Sequence, residues 1–248
     1  MYGLEDKVAH EKIVEKMDEF FDARIGIYDK HMLEDLKLDG FYRAIVDLIS
    51  PDREDFRLLD LGCGTGIELA YLFERCPDMR VTGIDLSCKM LDRLREKFAD
   101  KEIALVEGSY FEVDFGGPFD VVLSTYSFHH FDREQKLRLY TKIREALAED
   151  GIFVFGDYTS YSADEEAAAL ERLAQIDAVR SGADANAAAP APADTDTDTD
   201  TDTDTDTELY HIDTPLTAET EVTLMHQAGF QSVEVIYRCV SVSIIVAR

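Results

Sequence analysis

The chain has 248 residues, of which 46% are apolar, enough for one α/β domain with a sizeable core. Its formal net charge of −27 repels phosphate backbones, so we expect no nucleic-acid partner. The charged N-terminus is unlike a secretory signal, and no apolar run reaches the ~18 residues of a membrane span.

Residues 1–52 predict a helical cap at the N-terminus. Apolar residues recur at helical spacing up to Phe21, and a second amphipathic stretch runs to Ile49. Gly26 separates the two stretches, and Pro51 ends the second one.

From residue 53 to residue 160, short apolar runs alternate with amphipathic stretches of helical length. The runs predict strands at 57–61, 80–85, 103–107, 119–124 and 152–157, and the stretches predict helices at 66–76, 87–98 and 132–148. Ser87 and Asp132 are the predicted N-caps. This alternation predicts a doubly wound, mostly parallel sheet with helices on both faces.

Two segments of different composition follow the core. Residues 161–181 are rich in Ala and Glu and predict a helix of the cap or lid. Residues 182–207 consist almost entirely of Ala, Pro, Asp and Thr and end in a Thr-Asp repeat. We predict a disordered, solvated linker there, and no calcium loop, because the glycine turn and bidentate Glu of such loops are absent.

Residues 208–248 predict a helix and two strands that complete a seven-stranded α/β sheet. Thr217 caps the helix, and Gly229 ends it. The strands are expected at 232–237 and 240–246, separated only by Arg238 and Cys239. We therefore predict an antiparallel hairpin at the sheet edge.

The run from Leu58 to Gly66 reads Leu-Leu-Asp-Leu-Gly-Cys-Gly-Thr-Gly, a buried strand leading into a glycine loop. Gly62 permits a tight turn, while Gly64 and Gly66 let a ligand approach bare backbone. A dinucleotide fingerprint needs Gly-x-Gly-x-x-Gly, and here the third glycine comes one residue early. Asp85 ends the second strand, where a carboxylate accepts ribose hydroxyls. Together these features predict an adenosyl site.

The loop and Asp85 resemble the class I S-adenosylmethionine-dependent methyltransferases. The resemblance covers residues 57–157 and implies a Rossmann-like fold, S-adenosylmethionine as the cofactor, and methyl transfer to a small-molecule acceptor. It also implies that Asp60 helps to place the amino group of the cofactor and that Asp85 holds its ribose. Leu86 and Met90 match the positions that cover the adenine.

The resemblance implies four further cofactor contacts. Ser109 stands where many members carry an aspartate that binds the adenine amino group, and Tyr110 follows it. Ser124, at the end of the fourth strand, is expected to border the cofactor. Tyr28 matches a lead-in helix that closes over it in many small-molecule members.

His129 and His130 follow the fourth strand and are the candidate general bases, because His titrates near neutral pH. We favour His130 and expect the other to be a hydrogen-bonded support. A base is needed only if the acceptor loses a proton. Tyr210 and His211 lie where members place lid elements that face the substrate.

The four cysteines form no Cys-x-x-Cys pair and have no His at metal-ligand spacing. We therefore expect no metal site and predict free thiols in a reducing cytoplasm. The four positions are Cys63, Cys76, Cys88 and Cys239.

Three alternative functions stay open at this point. A transferase with a modified S-adenosylmethionine would use the same fold, and so would a non-catalytic module that only binds the cofactor. An NAD-dependent oxidoreductase fits the glycine spacing less well. The acceptor atom and the choice between monomer and homodimer are not determined by the sequence.

Overall fold

The computed structural model describes residues 15–49, 56–180 and 209–248. The predicted linker at 182–207 and the first part of the cap lie outside these ranges. Within them, no helix combines the length and the apolar character that a membrane span requires.

A single seven-stranded sheet organises the chain. Its strands, in chain order, are β1 Arg57–Leu61, β2 Arg80–Asp85, β3 Ile103–Glu107, β4 Phe119–Thr125, β5 Leu147–Tyr158, β6 Val233–Cys239 and β7 Val242–Ala247. The spatial order is β3-β2-β1-β4-β5-β7-β6. Strands β1 to β5 are parallel, and β7 runs antiparallel to both β5 and β6. The predicted Rossmann-like sheet with its antiparallel hairpin is thus confirmed.

The helices lie before, between and after the strands. They are α1 Met17–Arg24, α2 Tyr28–Lys30, which continues as a π-helical turn His31–Asp35, α3 Asp39–Leu48, α4 Ile67–Arg75, α5 Cys88–Lys97, α6 Arg133–Ala146, α7 Ala163–Arg180 and α8 Ala218–Gln227.

Side chains of the central strands β1, β4, β5 and β7 are buried on both faces of the sheet. Neighbouring residues point to opposite faces, so that Leu58 and Leu59 belong to different apolar clusters. Helices α3, α4 and α5 cover one cluster, and α6 and α8 cover the other. Burial on both faces explains why these strands appear in the sequence as continuous apolar runs.

The three predicted N-caps form hydrogen bonds in the structure. The Ser87 hydroxyl accepts the N–H of Met90, and the Thr217 hydroxyl accepts the N–H of Thr220. Asp132 and Gln135 form a reciprocal capping box at the start of α6. These capping hydrogen bonds determine the first residues of α5, α6 and α8.

Two predicted connections, the one from α6 to β5 and the hairpin turn, are misplaced by two residues or more. Helix α6 ends at Ala146, two residues earlier than expected, because Leu147 joins the sheet opposite Phe119 and lengthens β5. The hairpin turn lies at residues 240–241 and not at 238–239, because Cys239 pairs with Val242.

An ion pair without solvent exposure joins α6 to α8. The Lys136 ammonium donates to one carboxylate oxygen of Glu221, and the Tyr140 hydroxyl donates to the other at 2.6 Å. The side chains of Lys136 and Glu221 are both 0% exposed. Removing one member of such a pair leaves an uncompensated buried charge.

We expect Lys136→Met to lower the free energy of unfolding by about 3–5 kcal/mol, because Glu221 loses its cation inside the core. Urea denaturation would measure this change, with Lys30→Met as an exposed control that stays within about 0.5 kcal/mol of the parent. A loss below about 1 kcal/mol for Lys136→Met would show that the pair is not structurally required.

Candidate functional site

The glycine loop after β1 is packed on one side and open on the other. Gly62 and Gly64 have φ angles of 78° and 46°, in the left-handed region. A Cβ on Gly62 would lie 2.4 Å from Ser127 Oγ and 2.6 Å from Tyr110 Oη. A Cβ on Gly64 would meet nothing closer than 3.9 Å. The backbone at Gly64 is therefore accessible to a ligand.

Asp85 ties this loop to the end of β2. One carboxylate oxygen accepts the Gly64 N–H at 2.8 Å, and the other accepts the Ser87 N–H at 2.9 Å. Burial raises the pKa of Asp85 to about 6, although these N–H groups counteract the shift. A carboxylate oxygen has two lone pairs, so each retains capacity for a further donor.

The loop and Asp85 open into a pocket, called the first cavity below. Eight of the predicted cofactor contacts line it: Tyr28, Gly62, Gly64, Asp85, Leu86, Met90, Ser109 and Tyr110. Residues from several separate segments of the chain complete its wall, among them Met17, Phe21, Tyr126, Ser127 and Leu209.

Three predicted cofactor residues lie behind this wall. Asp60 is 0% exposed, and burial together with the carboxyl group of Glu68 raises its pKa well above the usual value. Gly66 is the N-cap of α4, with a φ of 68°. The Ser124 hydroxyl donates to the Leu61 carbonyl at 3.0 Å. These residues shape the loop from within the fold.

The turn after β4 wraps around a buried carboxylate. Asp157, in β5, accepts the backbone N–H groups of Phe128 at 2.7 Å and His129 at 3.1 Å. Its other oxygen lies 2.6 Å from His129 Nδ1. Burial acts to raise the pKa of Asp157, but His129 and the hydrogen bonds outweigh it, and the pKa lies below its usual value. Asp157 therefore stays ionised and fixes the turn.

A second cavity, of about 540 Å³, adjoins the first. The two share four wall residues: Phe21, Tyr28, Tyr126 and His130. His129 and the lid residue His211 line only the second cavity, whereas His130 faces both. A ligand in either cavity would thus contact the four shared side chains.

The two histidines meet Asp213, which comes from the segment before α8. His130 Nδ1 lies 3.2 Å from Asp213 Oδ1, and His129 Nε2 lies 3.7 Å from it. Burial lowers the pKa of His130 to about 4, and the neighbouring His129 adds to this shift. Asp213 is half exposed and has a pKa of about 2, since the histidines outweigh its burial. His130 is therefore neutral at physiological pH.

A lid covers the junction of the cavities. It consists of α1 and residues 209–213, which come from distant parts of the sequence. The Met17 N–H donates to the Leu209 carbonyl at 3.0 Å, and the Phe20 ring stacks on His211 at 3.4 Å. This places the predicted lid residue His211 at the second cavity. Tyr210, the other lid candidate, is not among the wall residues of either cavity.

The sequence did not indicate several wall residues. Met17 and Phe21 looked like one face of an amphipathic helix, and Asp213 lay beyond the predicted linker with no pattern around it. Tyr126 had a weak signal, since it follows the predicted fourth strand closely. Its φ of 47° shows a tight turn at that strand end.

Comparison with known proteins identifies a matching domain family and several relatives of this chain. Residues 58–151 match the methyltransferase domain family. A malonyl-[acyl-carrier protein] O-methyltransferase of Acetivibrio thermocellus is 28% identical over 131 residues, which are 53% of this chain and 45% of that protein. A carboxy-S-adenosyl-L-methionine synthase of Nautilia profundicola is 22% identical over 243 residues, 95% of each chain.

A solved structure gives the same fold over nearly the whole length. The DhpI-SAM-HEP complex has a TM-score of 0.63 and 19% sequence identity, covering 93% of this chain and 94% of that one. By sequence, the chain spans less than two thirds of the length of the curated relatives that match first.

The difference between the packed side of the glycine loop at Gly62 and its open side at Gly64 leads to a prediction. We expect Gly62→Ala to lower the free energy of unfolding by more than about 2 kcal/mol, because its Cβ overlaps Ser127 and Tyr110 in addition to backbone strain of about 1 kcal/mol. Gly64→Ala should cost only about 1 kcal/mol, the strain alone.

Urea denaturation of both variants would measure these changes. Gly116→Ala is the matched control, because Gly116 has a φ of 67° and a Cβ there meets nothing within 4 Å. Equal losses for Gly62→Ala and Gly116→Ala would contradict the close packing seen at Gly62.

Proposed function

Because residues 58–151 match the methyltransferase domain family, we propose that this chain is a class I S-adenosylmethionine-dependent methyltransferase that transfers the methyl group of S-adenosylmethionine to a small-molecule acceptor. The main support for this proposal is the connection between the two cavities. The first cavity, with the glycine loop and Asp85, opens into a second cavity that shares four of its wall residues. Such a pair of connected sites suits a donor and an acceptor that must meet.

The wall of the first cavity fits the proposed cofactor. The free lone pairs of Asp85 would accept the ribose hydroxyls, and the bare backbone at Gly64 would allow a close approach. Leu86 and Met90 supply apolar surface for the adenine. When bound, the cofactor supplies an electrophilic methyl group on a sulfonium, so the protein has mainly to position the acceptor and exclude water.

On the acceptor side, we propose that His129 and not His130 takes up a proton where the acceptor must lose one. Asp157 accepts a hydrogen bond from His129 Nδ1, which leaves Nε2 free to accept a proton from the second cavity. His130 is a weaker base than a free imidazole, because its pKa is lowered to about 4. Its position in both cavities suits it for contact with donor and acceptor.

A second candidate function is the modification of S-adenosylmethionine itself. The similarity to a carboxy-S-adenosyl-L-methionine synthase extends over 95% of both chains, unlike the partial similarity to the O-methyltransferases. In that reaction class, the cofactor gains a carboxyl group, and no methyl group leaves it. The two cavities would then hold the cofactor and a carboxyl donor.

We further propose that the protein works in the reducing cytoplasm and without a nucleic-acid partner. All four cysteines are free thiols. The net charge of −27 disfavours contact with phosphate backbones.

Calorimetry with S-adenosylmethionine, S-adenosylhomocysteine and NAD tests the proposed cofactor. We expect micromolar binding of the first two and no binding of NAD. Mass spectrometry of turnover mixtures with candidate acceptors then separates the two functions. Methyl transfer yields S-adenosylhomocysteine, whereas the second function yields a cofactor that is heavier by a carboxyl group. Binding of NAD alone would refute both.

We predict that Asp85→Asn weakens the binding of S-adenosylhomocysteine about 10- to 100-fold. A hydrogen bond to a charged group contributes about 1.5–3 kcal/mol, and the amide would lose one acceptor oxygen. Asp92→Asn on the outer side of α5 is the control, since that carboxylate is exposed and should leave affinity unchanged. An equal affinity for Asp85→Asn and the parent would exclude Asp85 from the ribose site.

The affinity for S-adenosylhomocysteine should also depend on pH. The ligand favours the ionised carboxylate, and the pKa of Asp85 in the free protein is about 6. The affinity should therefore be constant above about pH 7 and fall as the pH drops through 6, by up to about tenfold per unit. Titrations between pH 5 and pH 8 would measure this, and Asp85→Asn should abolish the dependence.

A further inference from the structure

Three potential metal ligands converge on the wall of the second cavity. They are His129 Nε2, His130 Nδ1 and a carboxylate oxygen of Asp213, and all lie within 4.8 Å of one another. We propose that His129, His130 and Asp213 form a binding site for a divalent first-row transition-metal ion such as Zn²⁺. This site goes beyond the proposed methyl transfer and contradicts the expectation from cysteine and histidine spacing.

The spacing of the donor atoms matches that of a tetrahedral zinc site. Ligands at about 2.0–2.1 Å from a tetrahedral ion lie roughly 3.3 Å from one another. Asp213 Oδ1 lies 3.2 Å from His130 Nδ1 and 3.7 Å from His129 Nε2. Two of the three donor–donor distances therefore lie within about 0.4 Å of the tetrahedral value, and the third, between the two histidine nitrogens, is at most 4.8 Å.

His129 has the outer hydrogen bond that metal-binding histidines almost always have. Its Nδ1 donates to Asp157 Oδ1 at 2.6 Å, which fixes the tautomer and directs the Nε2 lone pair into the cavity. Asp157 is itself held by the backbone N–H of Phe128 at 2.7 Å. The carboxylate, the imidazole and the proposed ion would thus stand in the order found in carboxylate–histidine–zinc sites.

The buried Nδ1 atom of His130 supports the proposed metal site independently of the donor-atom distances. Its side chain is 3% exposed, and its Nδ1 has no hydrogen-bond partner among the described residues. Asp213 Oδ1 approaches to 3.2 Å but does not meet hydrogen-bond geometry. Buried polar atoms are nearly always satisfied in native proteins, so this atom requires an explanation. A metal ion between His130 and Asp213 would supply the partner.

The ligand set favours one class of metal. Two imidazole nitrogens and one carboxylate oxygen suit zinc, iron, copper or nickel, whereas Mg²⁺ and Ca²⁺ prefer oxygen ligands alone. Three protein ligands leave a coordination position for a ligand from the cavity, as in catalytic zinc sites. If the proposed methyl transfer is correct, an acceptor hydroxyl bound there would lose its proton more readily, and the ion would replace His129 as the activating group.

Metal binding by the full chain tests the site in the absence of any cofactor. The protein, freed of metal with a chelator, is titrated with Zn²⁺ by calorimetry and with Co²⁺ by visible absorption. We expect one equivalent to bind with micromolar or tighter affinity, and Co²⁺ to give the intense visible bands of a tetrahedral site. Asp213→Asn and His130→Asn should each weaken binding at least 10-fold, because each removes one of three ligands.

Two matched variants serve as controls. Asp150→Asn removes an exposed carboxylate elsewhere, and His31→Asn removes an exposed imidazole from the second cavity itself. Both should bind Zn²⁺ like the parent. Asp213 is half exposed, so Asp213→Asn remains informative even if His130→Asn fails to fold.

The proposal is overturned if no stoichiometric binding occurs or if binding survives both Asp213→Asn and His130→Asn. The latter result would point to adventitious binding by the acidic surface or the thiols. Binding of S-adenosylhomocysteine is measured separately on the same samples. Cofactor binding without Zn²⁺ binding would refute the metal site and leave the proposed function standing, and the reverse result would refute only the function.

Discussion

The buried carboxylate of Asp157 is the constraint on which the arrangement of both cavities depends. It is 0% exposed, and a carboxylate in such a place is tolerated only when hydrogen bonds compensate the loss of water. The chain after β4 supplies them by turning its backbone N–H groups at residues 127–129 towards Asp157. This turn brings His129 and His130 to the wall between the cavities. The position of the two imidazoles thus follows from satisfying one buried charge.

Much of the fold could be predicted because its signals are local. The strands β1, β2 and β3 have the predicted bounds, since each is an apolar run that ends at a turn or a cap. Ser87 and Thr217 each cap a helix through a hydrogen bond to a residue three positions later. The glycine loop and Asp85 were also recognisable, because each directly follows or ends a predicted strand. In a parallel sheet, the ends of two neighbouring strands meet at the same edge.

The rest depends on contacts between distant parts of the chain. The lid forms because the backbone of Met17 pairs with that of Leu209, and no pattern within either segment indicates this pairing. Asp213 lies beside the histidines because the N–H of the next residue, Thr214, donates to the His129 carbonyl at 2.7 Å. The hairpin turn was misplaced because an extra residue in β6, Ile236, shifts the register with β7, which a count of apolar residues does not show.

The charges of the two cavities differ in a way that matches the proposed chemistry. Four of the six histidines of the chain line the second cavity together with Asp213, whereas the first cavity has the carboxyl group of Asp85 and shares only His130 with the second. A sulfonium cation is favoured beside a carboxylate, and the thioether that remains after methyl transfer is neutral and loses this attraction. The acceptor, in contrast, meets imidazoles that can bind or deprotonate an electron-rich atom. If the proposed methyl transfer is correct, the neutral product would lose this attraction, and the change in ligand charge alone would favour its exchange for a new donor.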